Sequence, residues 1–174
     1  MRVIFYAAIT ANGMTAKTDG NIDWVSPEDF RSFSTTCQKI GSIVMGRRTF
    51  QEYQTLPPQQ YPLPDGLTIV LSTTRPDLSL PGRNVQVTGD GQSGAVKIIT
   101  ASGLSQTCVV GGHTTWASFA KEGLVDEIYL DIEPYLFGQG MPLFLPADFE
   151  YHLKLIETKN LNSQTLQLHY RVEK

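Results

Sequence analysis

A chain of 174 residues, 41% of them hydrophobic, is long enough for one well-packed core and too short for two full domains, so we expect one domain over residues 1–174. The formal net charge of −3, without a long run of like charge, argues against nucleic acid or an anionic membrane as a partner and favours a small molecule. Two cysteines cannot build a disulfide framework, and three scattered histidines show no metal-ligand spacing, so we expect a cytoplasmic protein with no metal site.

The first predicted element is a strand in the apolar run VIFYAAI, residues 3–9. This run could pass for a signal peptide, but it is brief and no small-x-small cleavage site clearly closes it. Similar short runs rich in β-branched residues follow at 42–46, 67–72 and 107–112, and such runs are typical of strands buried on both faces of a parallel sheet. None of the runs is long enough to cross a bilayer, so we expect no membrane partner.

Helical patterns alternate with these strands, which predicts an α/β fold with a doubly wound, mostly parallel central sheet. The helices are predicted at 27–39, 47–54, 93–102 and 114–122. Segments 55–66 and 73–84 are rich in proline and glycine and are predicted as surface loops. At the end of the chain, apolar and polar residues alternate on both sides of NLNS (160–163), which predicts a C-terminal antiparallel hairpin.

The stretch WVSPEDFRSF, residues 24–33, opens the first predicted helix and leaves two roles open for Asp29. Ser26 is a good N-cap, and a carboxylate three residues later can reach back to the cap amide as in a capping box. On a helical wheel with Phe30 at zero, however, Asp29 falls at about 260°, beside the apolar arc, whereas Glu28 at about 160° faces water. Burial beside apolar side chains would raise the pKa of Asp29 and make it a proton donor near neutral pH. The two roles are compatible, since one oxygen can cap while the other faces a ligand.

Glycine-rich segments give one weak and one stronger signal for nucleotide binding. The segment GDGQSG, residues 89–94, matches the dinucleotide fingerprint by letter only, because the preceding NVQVT is short and half polar and no acidic residue follows at the required distance. We interpret it as a loop that opens a helix. The stronger signal comes from three strand ends with glycines, hydroxyls or arginines: CVVGGHTTWASF (108–119), VMGRRTF (44–50) and VLSTTR (70–75). Together they predict a phosphate-binding edge, although each alone is compatible with an ordinary turn.

In this order, the segments of the chain resemble the dihydrofolate reductase superfamily over nearly the whole sequence. The segments that carry the resemblance are YAAI, NGMTAKTDGNIDW, SPEDFRSF, VMGRRTF, LTIVLS, VVGGHTTW and DEIYLDIEPYLFGQGMPLF. The second and the last of them are more similar to the reductase (C-terminal) domain of the bifunctional riboflavin-pathway deaminase-reductase. The resemblance therefore implies a dihydrofolate reductase-like fold. It also implies that the chain is a stand-alone reductase domain of the riboflavin-pathway type.

The same resemblance implies NADPH as the cofactor and gives roles to individual residues. Asp29 corresponds to the active-site acid, and Ala8, Trp24, Phe33 and Asp131 correspond to substrate contacts, although Trp24 is also compatible with ordinary core packing. Arginines beside the extra ribose phosphate would favour NADPH over NADH. The peptide bond between two consecutive glycines would be cis, as in the family. The residues implied to bind the cofactor are Ala8, Thr15, Gly46, Arg47, Arg48, Thr49, Leu71, Ser72, Thr73, Arg75, Gly111, Gly112, His113, Thr114 and Thr115.

Several positions depart from the pattern of the dihydrofolate-reducing enzymes. The arginine that grips the folate tail is absent, since the corresponding stretch offers Asp65 and Gly66, and this argues against folate as the substrate. His113 and Thr114 replace a glycine and an arginine of the glycine turn. Asp131 stands where those enzymes have a threonine. It either shares the pocket with Asp29, so that each carboxylate raises the other's pKa, or faces solvent at a strand end.

The sequence thus predicts an NADPH-dependent reductase that transfers a hydride to a polarised C=N or C=O of a pyrimidine- or pterin-like substrate, with residues 12–24 closing over the reactants. The alternative within the enzymes is a dihydrofolate reductase. The alternative of another class is a non-catalytic nucleotide-binding homologue that has lost its substrate site, although the presence of Asp29 favours the enzyme. The resemblance also implies a homodimer, formed through the C-terminal hairpin or the sheet edge.

Overall fold

In the computed structural model, which describes residues 1–174, the apolar runs of the sequence form strands and the segments between them form helices. The strands are β1 (Arg2–Thr10), β2 (Met14–Ala16), β3 (Ser42–Gly46), β4 (Leu67–Leu71), β5 (Asn84–Thr88), β6 (Gln106–Gly111), β7 (Glu127–Glu133), β8 (Met141–Pro142), β9 (His152–Asn160) and β10 (Leu166–Glu173). The helices are α1 (Pro27–Ile40), α2 (Arg47–Thr55), α3 (Gly91–Ala101) and α4 (His113–Lys121), with a 3-10 turn at Pro58–Gln60.

Eight of the strands form one sheet in the order β5-β4-β3-β6-β1-β7-β10-β9. The first six are parallel to their neighbours, whereas β10 and β9 form an antiparallel hairpin that continues the sheet. The predicted α/β fold with a mostly parallel sheet and a C-terminal hairpin is therefore confirmed. The N-terminal apolar run forms β1 in the middle of this sheet, between β6 and β7, as the strand prediction requires.

Helices cover both faces of the sheet, which makes it doubly wound. Helices α1 and α2 pack on one face over a cluster that includes Tyr6, Met45 and Phe50. Helices α3 and α4 pack on the opposite face over a cluster that includes Phe5 and Phe119. Since successive side chains of a strand point to opposite faces, Phe5 and Tyr6 of β1 enter different clusters. The face covered by α1 also carries the polar residues of the candidate site.

Helix α1 begins and ends at residues that favour those boundaries. Ser26 is extended, and its Oγ accepts the amide hydrogen of Asp29 at 3.2 Å. Gly41 ends the helix with φ +82°, and its amide donates to Cys37 O at 2.9 Å. Because Gly41 alone separates α1 from β3, the helix runs back against the strand direction. Its N-terminus therefore lies at the edge where the parallel strands have their carboxyl ends.

The structure departs from the sequence-based prediction in two loops. Asn84, predicted in a loop, begins the edge strand β5, whose half-polar sequence lacks the continuous apolar run of a buried strand. Within the predicted closing segment 12–24, Met14–Ala16 form β2, which pairs with β8 in a separate two-stranded sheet. The segment GDGQSG opens α3, as expected. None of the four helices combines the length and the apolar character that a bilayer crossing requires.

Candidate active site

The register of three strands brings polar side chains together on the face covered by α1. Asp131 of β7 is paired with Ala8 of β1 on one side and with Gln167 of β10 on the other. Glu133 lies two residues further along β7. Residues i and i+2 of a strand share a face, so Asp131 and Glu133 point to the same side of the sheet, as do Tyr6 and Ala8 of β1.

Helix α1 brings Asp29 to these residues, and Asp29 is only 3% exposed. The Ser26 amide donates to Glu133 Oε1 at 3.0 Å, and no hydrogen bond joins it to the Asp29 side chain. A capping-box role for the Asp29 side chain is therefore wrong, because a carboxylate from β7 occupies that position. Glu28, in contrast, pairs with Arg31 on the outer side of the helix, as the helical wheel predicts.

Asp29 and Asp131 are neighbouring buried carboxyl groups, a pair called here the carboxyl dyad, and the charge of Asp131 raises the pKa of Asp29. Asp131 is fully buried, so the alternative that it faces solvent is excluded. Its Oδ2 accepts the Tyr6 hydroxyl hydrogen at 2.6 Å, and its Oδ1 accepts a hydrogen from Gln167 Nε2 at 2.8 Å. Two donors favour the charged form of Asp131, so the shared proton belongs on Asp29.

Burial and neighbouring charge set the protonation of the dyad. Burial, followed by the charges of Asp131 and Glu133, raises the pKa of Asp29 to about 9. Burial also raises the pKa of Asp131, to about 6, while hydrogen bonds from Tyr6 and Gln167 hold it down. Burial raises the pKa of Tyr6 as well, so its hydroxyl keeps its proton. Near neutral pH, Asp29 is therefore the protonated member of the dyad and Asp131 the ionised one.

Two buried polar atoms near the start of α1, Trp24 Nε1 and Asp29 Oδ2, have no hydrogen-bond partner. Because buried polar atoms are almost always paired, these two mark a place where a polar ligand can bind. The Trp24 ring packs edge-on against Phe137, with ring centroids 5.5 Å apart, so core packing accounts for the ring but leaves the indole N–H unexplained. Phe33, another predicted substrate contact, is half-buried and packs against Tyr6, with ring centroids 5.2 Å apart.

Ala8 and Thr15, two of the residues implied to bind the cofactor, lie in β1 and β2. Ala8 is half-buried and stands beside Asp131 in the sheet. The Thr15 hydroxyl donates to Met141 O at 3.2 Å and ties β2 to β8. Asn12 makes a second tie, since its Nδ2 donates to Phe137 O at 2.7 Å. The segment predicted to close over the reactants is therefore anchored to residues 137–142.

The carboxyl ends of β4, β3 and β6 lie next to one another and bring the predicted phosphate-binding segments to one edge. Gly46 at the end of β3 is paired with Leu71 at the end of β4. On the other side, Met45 is paired with Gly111 at the end of β6. The peptide bond between Gly111 and Gly112 is cis, as the resemblance implies.

Two helices begin at this edge behind glycine caps. Gly46 caps α2 and Gly112 caps α4, and neither helix has a side-chain cap. The first amides of both helices are therefore available to an anion, which the helix dipole also favours. The two helix starts approach closely, because a Cβ on Gly46 would lie 2.8 Å from Thr115 Oγ1 and one on Gly112 would lie 3.4 Å from Thr49 Oγ1. Only glycine fits at position 46 without displacing the Thr115 side chain.

The predicted basic and hydroxyl residues lie around the rim of this edge. Arg47 and Arg48 are exposed in the first turn of α2, and Arg47 donates to Thr74 Oγ1 at 2.7 Å. Arg75 pairs with Asp77 at 3.0 Å, so part of its charge is already compensated. The remaining predicted residues are Ser72 and Thr73, which follow β4, and His113, Thr114 and Thr115, which open α4.

Gly66 has no room for a side chain. A Cβ at this position would lie 2.6 Å from the backbone oxygen of Gly41 and 2.6 Å from Leu63 Cδ2. An arginine at residue 66 would therefore require the backbone to move. This packing supports the sequence-based argument that the chain lacks the folate-gripping arginine of the dihydrofolate-reducing enzymes.

Sequence patterns do not single out four residues of this site: Tyr6, Ser32, Glu133 and Gln167. Their side-chain contacts join positions 32 to 161 residues apart, and only the folded register brings such positions together. No local signal marks Gln167, because the residues two positions away on the same side of the chain, Thr165 and His169, are also polar.

Comparison with known proteins agrees with this geometry. The family model of the RibD C-terminal domain matches residues 1–167. The chain is also 30% identical over 172 residues to the uncharacterized protein YwjB of Bacillus subtilis, with 97% of each chain covered.

Solved structures share the fold. A protein of Shewanella sp. PV-4 that is named for riboflavin biosynthesis superposes with a TM-score of 0.81 over 100% of both chains, at 22% identity. The diaminohydroxyphosphoribosylaminopyrimidine deaminase/5-amino-6-(5-phosphoribosylamino)uracil reductase of Thermotoga maritima superposes with a TM-score of 0.78 at 12% identity. That match covers 98% of this chain and 56% of the longer protein. The predicted similarity to the reductase domain of the riboflavin pathway, with its dihydrofolate reductase-like fold, is confirmed.

Proposed function

The chain belongs to the RibD C-terminal domain family, and we propose from this premise that it is an NADPH-dependent reductase of pyrimidine- or pterin-like compounds. Family membership supports an oxidoreductase of the riboflavin-reductase type. In the proposed reaction a hydride passes from bound NADPH to the carbon of a C=N or C=O bond, and the protein gives a proton to the nitrogen or oxygen. The observation that carries the proposal is the buried pair of Asp29 and Asp131, in which Asp29 Oδ2 has no hydrogen-bond partner and burial raises the pKa of Asp29.

The edge formed by β4, β3 and β6 fits the phosphates of a dinucleotide. Two helix N-termini, capped by Gly46 and Gly112, offer unpaired amides within a few ångströms of each other. Arg47 and Arg48 lie at the same edge, are exposed, and form no ion pair. They are therefore available to the extra ribose phosphate that distinguishes NADPH from NADH.

Asp29 is suited to supply the proton. Its raised pKa keeps a proton on the carboxyl group at neutral pH, and a donor with a pKa near the working pH transfers its proton efficiently. The unpartnered indole N–H of Trp24 can orient an acceptor atom of the substrate. The anchored segment at residues 12–24 would exclude water from the reactants.

Two observations weigh against the alternative functions. The packing around Gly66 leaves no side chain at that position to grip a folate tail, which disfavours a dihydrofolate reductase. The dyad of Asp29 and Asp131 is fully assembled, which disfavours a nucleotide-binding homologue without a reaction. Since the Thermotoga maritima relative is named a 5-amino-6-(5-phosphoribosylamino)uracil reductase, this pyrimidine is the first substrate to test, followed by pterins.

The cofactor part of the proposal is tested by calorimetric titration with NADPH and with NADH at matched ionic strength. We expect NADPH to bind tenfold or more tightly than NADH, a difference of roughly 1.4 kcal/mol or greater. The double variant Arg47→Ala/Arg48→Ala should lose most of that preference, while Lys39→Ala, at the far end of α1, should keep it. If neither nucleotide binds the unmodified protein, the reductase proposal fails.

The acid part of the proposal is tested with Asp29→Asn, assayed by NADPH oxidation with the pyrimidine named above. We expect kcat to fall by about 10²- to 10⁴-fold with NADPH binding unchanged, because the amide cannot give up a proton. The matched control is Glu28→Gln, which removes the neighbouring carboxylate that pairs with Arg31 at the surface. Unchanged turnover by Asp29→Asn would contradict the role of Asp29.

A further inference from the structure

Asp131 is fully buried and has no cation paired with it. A buried carboxylate without a counter-charge needs hydrogen-bond donors to hold its charge. The two neighbouring strands supply one donor each. Tyr6 Oη on β1 donates to Asp131 Oδ2 at 2.6 Å, and Gln167 Nε2 on β10 donates to Oδ1 at 2.8 Å. The charged form of Asp131 is therefore held by neutral donors.

The two donors differ in how they respond to a proton on Asp131. A tyrosine hydroxyl has one hydrogen and two lone pairs, so it can donate to an ionised carboxylate or accept from a protonated one. The NH₂ group of an amide can only donate. The Tyr6 hydroxyl alone would therefore suit either protonation state of Asp131, whereas the Gln167 amide nitrogen favours the ionised state.

Gln167 also fixes the direction of the hydrogen bond between Tyr6 and Asp131. Its Nε2 lies 2.8 Å from Tyr6 Oη and donates to it. Because Tyr6 Oη accepts a hydrogen from Gln167, its own single hydrogen is left to point at Asp131 Oδ2. The two hydrogens of one amide group thus make both oxygens of Asp131 hydrogen-bond acceptors.

The contacts of Gln167 leave one orientation for its amide. A rotation that exchanged Oε1 with Nε2 would place a carbonyl oxygen against the Asp131 carboxylate, where lone pairs repel, and would remove the donor to Tyr6. Ser32 Oγ on α1 is the third oxygen in reach, 3.1 Å from Nε2. Since an NH₂ group has two hydrogens, the shorter contacts to Asp131 and Tyr6 take them.

The sheet register keeps the Gln167 side chain in this place. Gln167 is paired with Asp131 across β10 and β7, and residues directly opposite in an antiparallel pair point to the same face. The Gln167 side chain is buried there. Its amide therefore stays beside the Asp131 carboxyl group as long as the two strands are paired.

The ionisable groups near Asp131 work against its charged form. Those that face it come from β1, from α1 and from its own strand: Tyr6, Asp29 and Glu133. On β10, the ionisable side chain closest in sequence on the same face is His169, and its Nε2 lies 2.9 Å from Glu127 Oε2 instead. Burial and the charge of Glu133 raise the pKa of Asp131, whereas hydrogen bonds from Tyr6 and Gln167 lower it.

We propose that Gln167 is a positioning residue, which keeps the proton of the carboxyl dyad on Asp29 by holding Asp131 as an acceptor at both oxygens. On Asp29 the proton lies on a carboxyl group whose Oδ2 has no partner and is available to a substrate. The inference rests on the proposed role of Asp29 as the acid. Gln167 acts on the reaction through Asp131.

The first test titrates the dyad and needs neither cofactor nor substrate. NMR spectra of protein with isotope-labelled aspartate carboxyl groups follow both acids, and Asp29→Asn and Asp131→Asn assign the signals. The lower of the two titration steps should lie near the Asp131 pKa of about 6. Gln167→Met keeps an unbranched side chain without a donor, and it should raise this step by about one pH unit. Gln164→Met, exposed in the hairpin turn, should leave the step unchanged. An unchanged step in Gln167→Met would overturn the proposal.

Two further variants separate the donor role of Gln167 from its packing. Gln167→Glu keeps the shape of the side chain but puts a carboxyl oxygen in place of the donor, so it should also raise the Asp131 pKa. Thermal unfolding shows whether each variant folds. Ser32→Ala removes only the longest of the three contacts and leaves both amide hydrogens to Asp131 and Tyr6. If Ser32→Ala raised the lower titration step as far as Gln167→Met, the step would report packing alone and the proposal would fail.

The kinetic test uses NADPH and 5-amino-6-(5-phosphoribosylamino)uracil. At neutral pH, Gln167→Met should lower kcat by about three- to tenfold with NADPH affinity unchanged, because part of the protein then carries the proton on Asp131. The loss should shrink as the pH falls, since both acids are then protonated. A kcat equal to that of the unmodified protein at neutral pH would contradict the link to Asp29. If the unmodified protein does not turn over this pyrimidine, the substrate assignment fails, whereas the carboxyl titration still decides the role of Gln167.

Discussion

Burial and neighbouring carboxylates raise the pKa of Asp29, and Glu133 contributes to the state of Asp29 in two ways. Both carboxylate oxygens of Glu133 are engaged, since Oε1 accepts from the Ser26 amide at 3.0 Å and Oε2 accepts from the Thr165 hydroxyl at 2.8 Å. Glu133 thereby takes the position that an aspartate at the third residue of a helix commonly fills, and the Asp29 carboxyl turns to Asp131 instead. Its charge also raises the pKa of Asp29.

At the residue scale we therefore predict that Glu133→Gln makes Asp29 a stronger acid. Without the nearby charge the pKa of Asp29 falls, so the alkaline limb of the kcat/KM profile should move to lower pH by about one unit. The measurement is the pH profile of NADPH oxidation, backed by carboxyl NMR titration. Glu122→Gln, an exposed glutamate just after α4, is the control. An alkaline limb at its original pH in Glu133→Gln would show that Glu133 only caps the helix.

The sequence identifies the individual acids better than their partners. Asp29 can be found from the sequence because the helical periodicity places it beside an apolar arc. The state of Asp131 cannot be read in the same way, because whether it faces solvent or Asp29 depends on pairing with β1 and β10. Tyr6 and Gln167 are invisible for the same reason, since each fits its own strand and acquires a function only through the neighbouring strands.

At the scale of elements, the phosphate-binding edge depends on how closely α2 and α4 begin. Both helices follow directly from adjacent parallel strands, so their N-termini point to one place. The missing Cβ of Gly46 makes room for the Thr115 side chain, which is buried in the first turn of α4. The spacing of the two sets of amides is thus set by one glycine and one threonine.

We predict that Gly46→Ala separates the two helix starts and weakens cofactor binding. A methyl group 2.8 Å from Thr115 Oγ1 must displace this buried side chain at the start of α4, which should lower the unfolding free energy by about 1–3 kcal/mol and weaken NADPH binding. Calorimetry and thermal unfolding measure both effects. The double variant Gly46→Ala/Thr115→Ala should recover part of the loss, because it removes the clash. Gly138→Ala, with open space around residue 138, should change neither quantity.

The long elements of the fold follow from the sequence because their causes are local. Helix α1 has its N-cap, its apolar arc and its left-handed glycine within 26–41, and the central strands have continuous apolar runs. The prediction fails for β5 and β2, where the cause is not local. Strand β5 is half polar because it lies at the edge of the sheet, and the three residues of β2 form a strand only by pairing with β8, some 125 residues away.

At the scale of the whole molecule, the site places acids where a sheet protein normally places apolar side chains. Asp29, Asp131 and Glu133 are each at most 3% exposed, on the same sheet face as an aromatic cluster around Tyr6. Burial of several carboxyl groups lowers the unfolding free energy of a protein. Proteins keep such buried groups where the function requires carboxyl groups with shifted pKa values. The unfolding free energy of the protein should therefore report on the protonation of these carboxyl groups, and its measurement needs no substrate.

The final prediction is that Asp29→Asn stabilises the protein, by an amount that grows with pH. The pKa of Asp29 is about 9 in the folded state and near its ordinary value of about 3.9 in the unfolded chain, so between these values the folded state binds the extra proton. The contribution of Asp29 to stability is therefore fully present below pH of about 4 and declines as the pH rises towards 9.

Asparagine stays neutral at every pH and can still donate to Asp131 from its amide. The contribution of residue 29 to the unfolding free energy therefore does not decline with pH in Asp29→Asn. Chemical denaturation at a series of pH values should show a gap between Asp29→Asn and the unmodified protein that opens above pH of about 4 and reaches on the order of 1–3 kcal/mol near neutrality. Asp65→Asn, at an exposed loop position, should show no such opening gap. A gap that is constant from acid to neutral pH would mean that Asp29 is not the protonated member of the dyad, and the stored proton would then have to lie on Asp131.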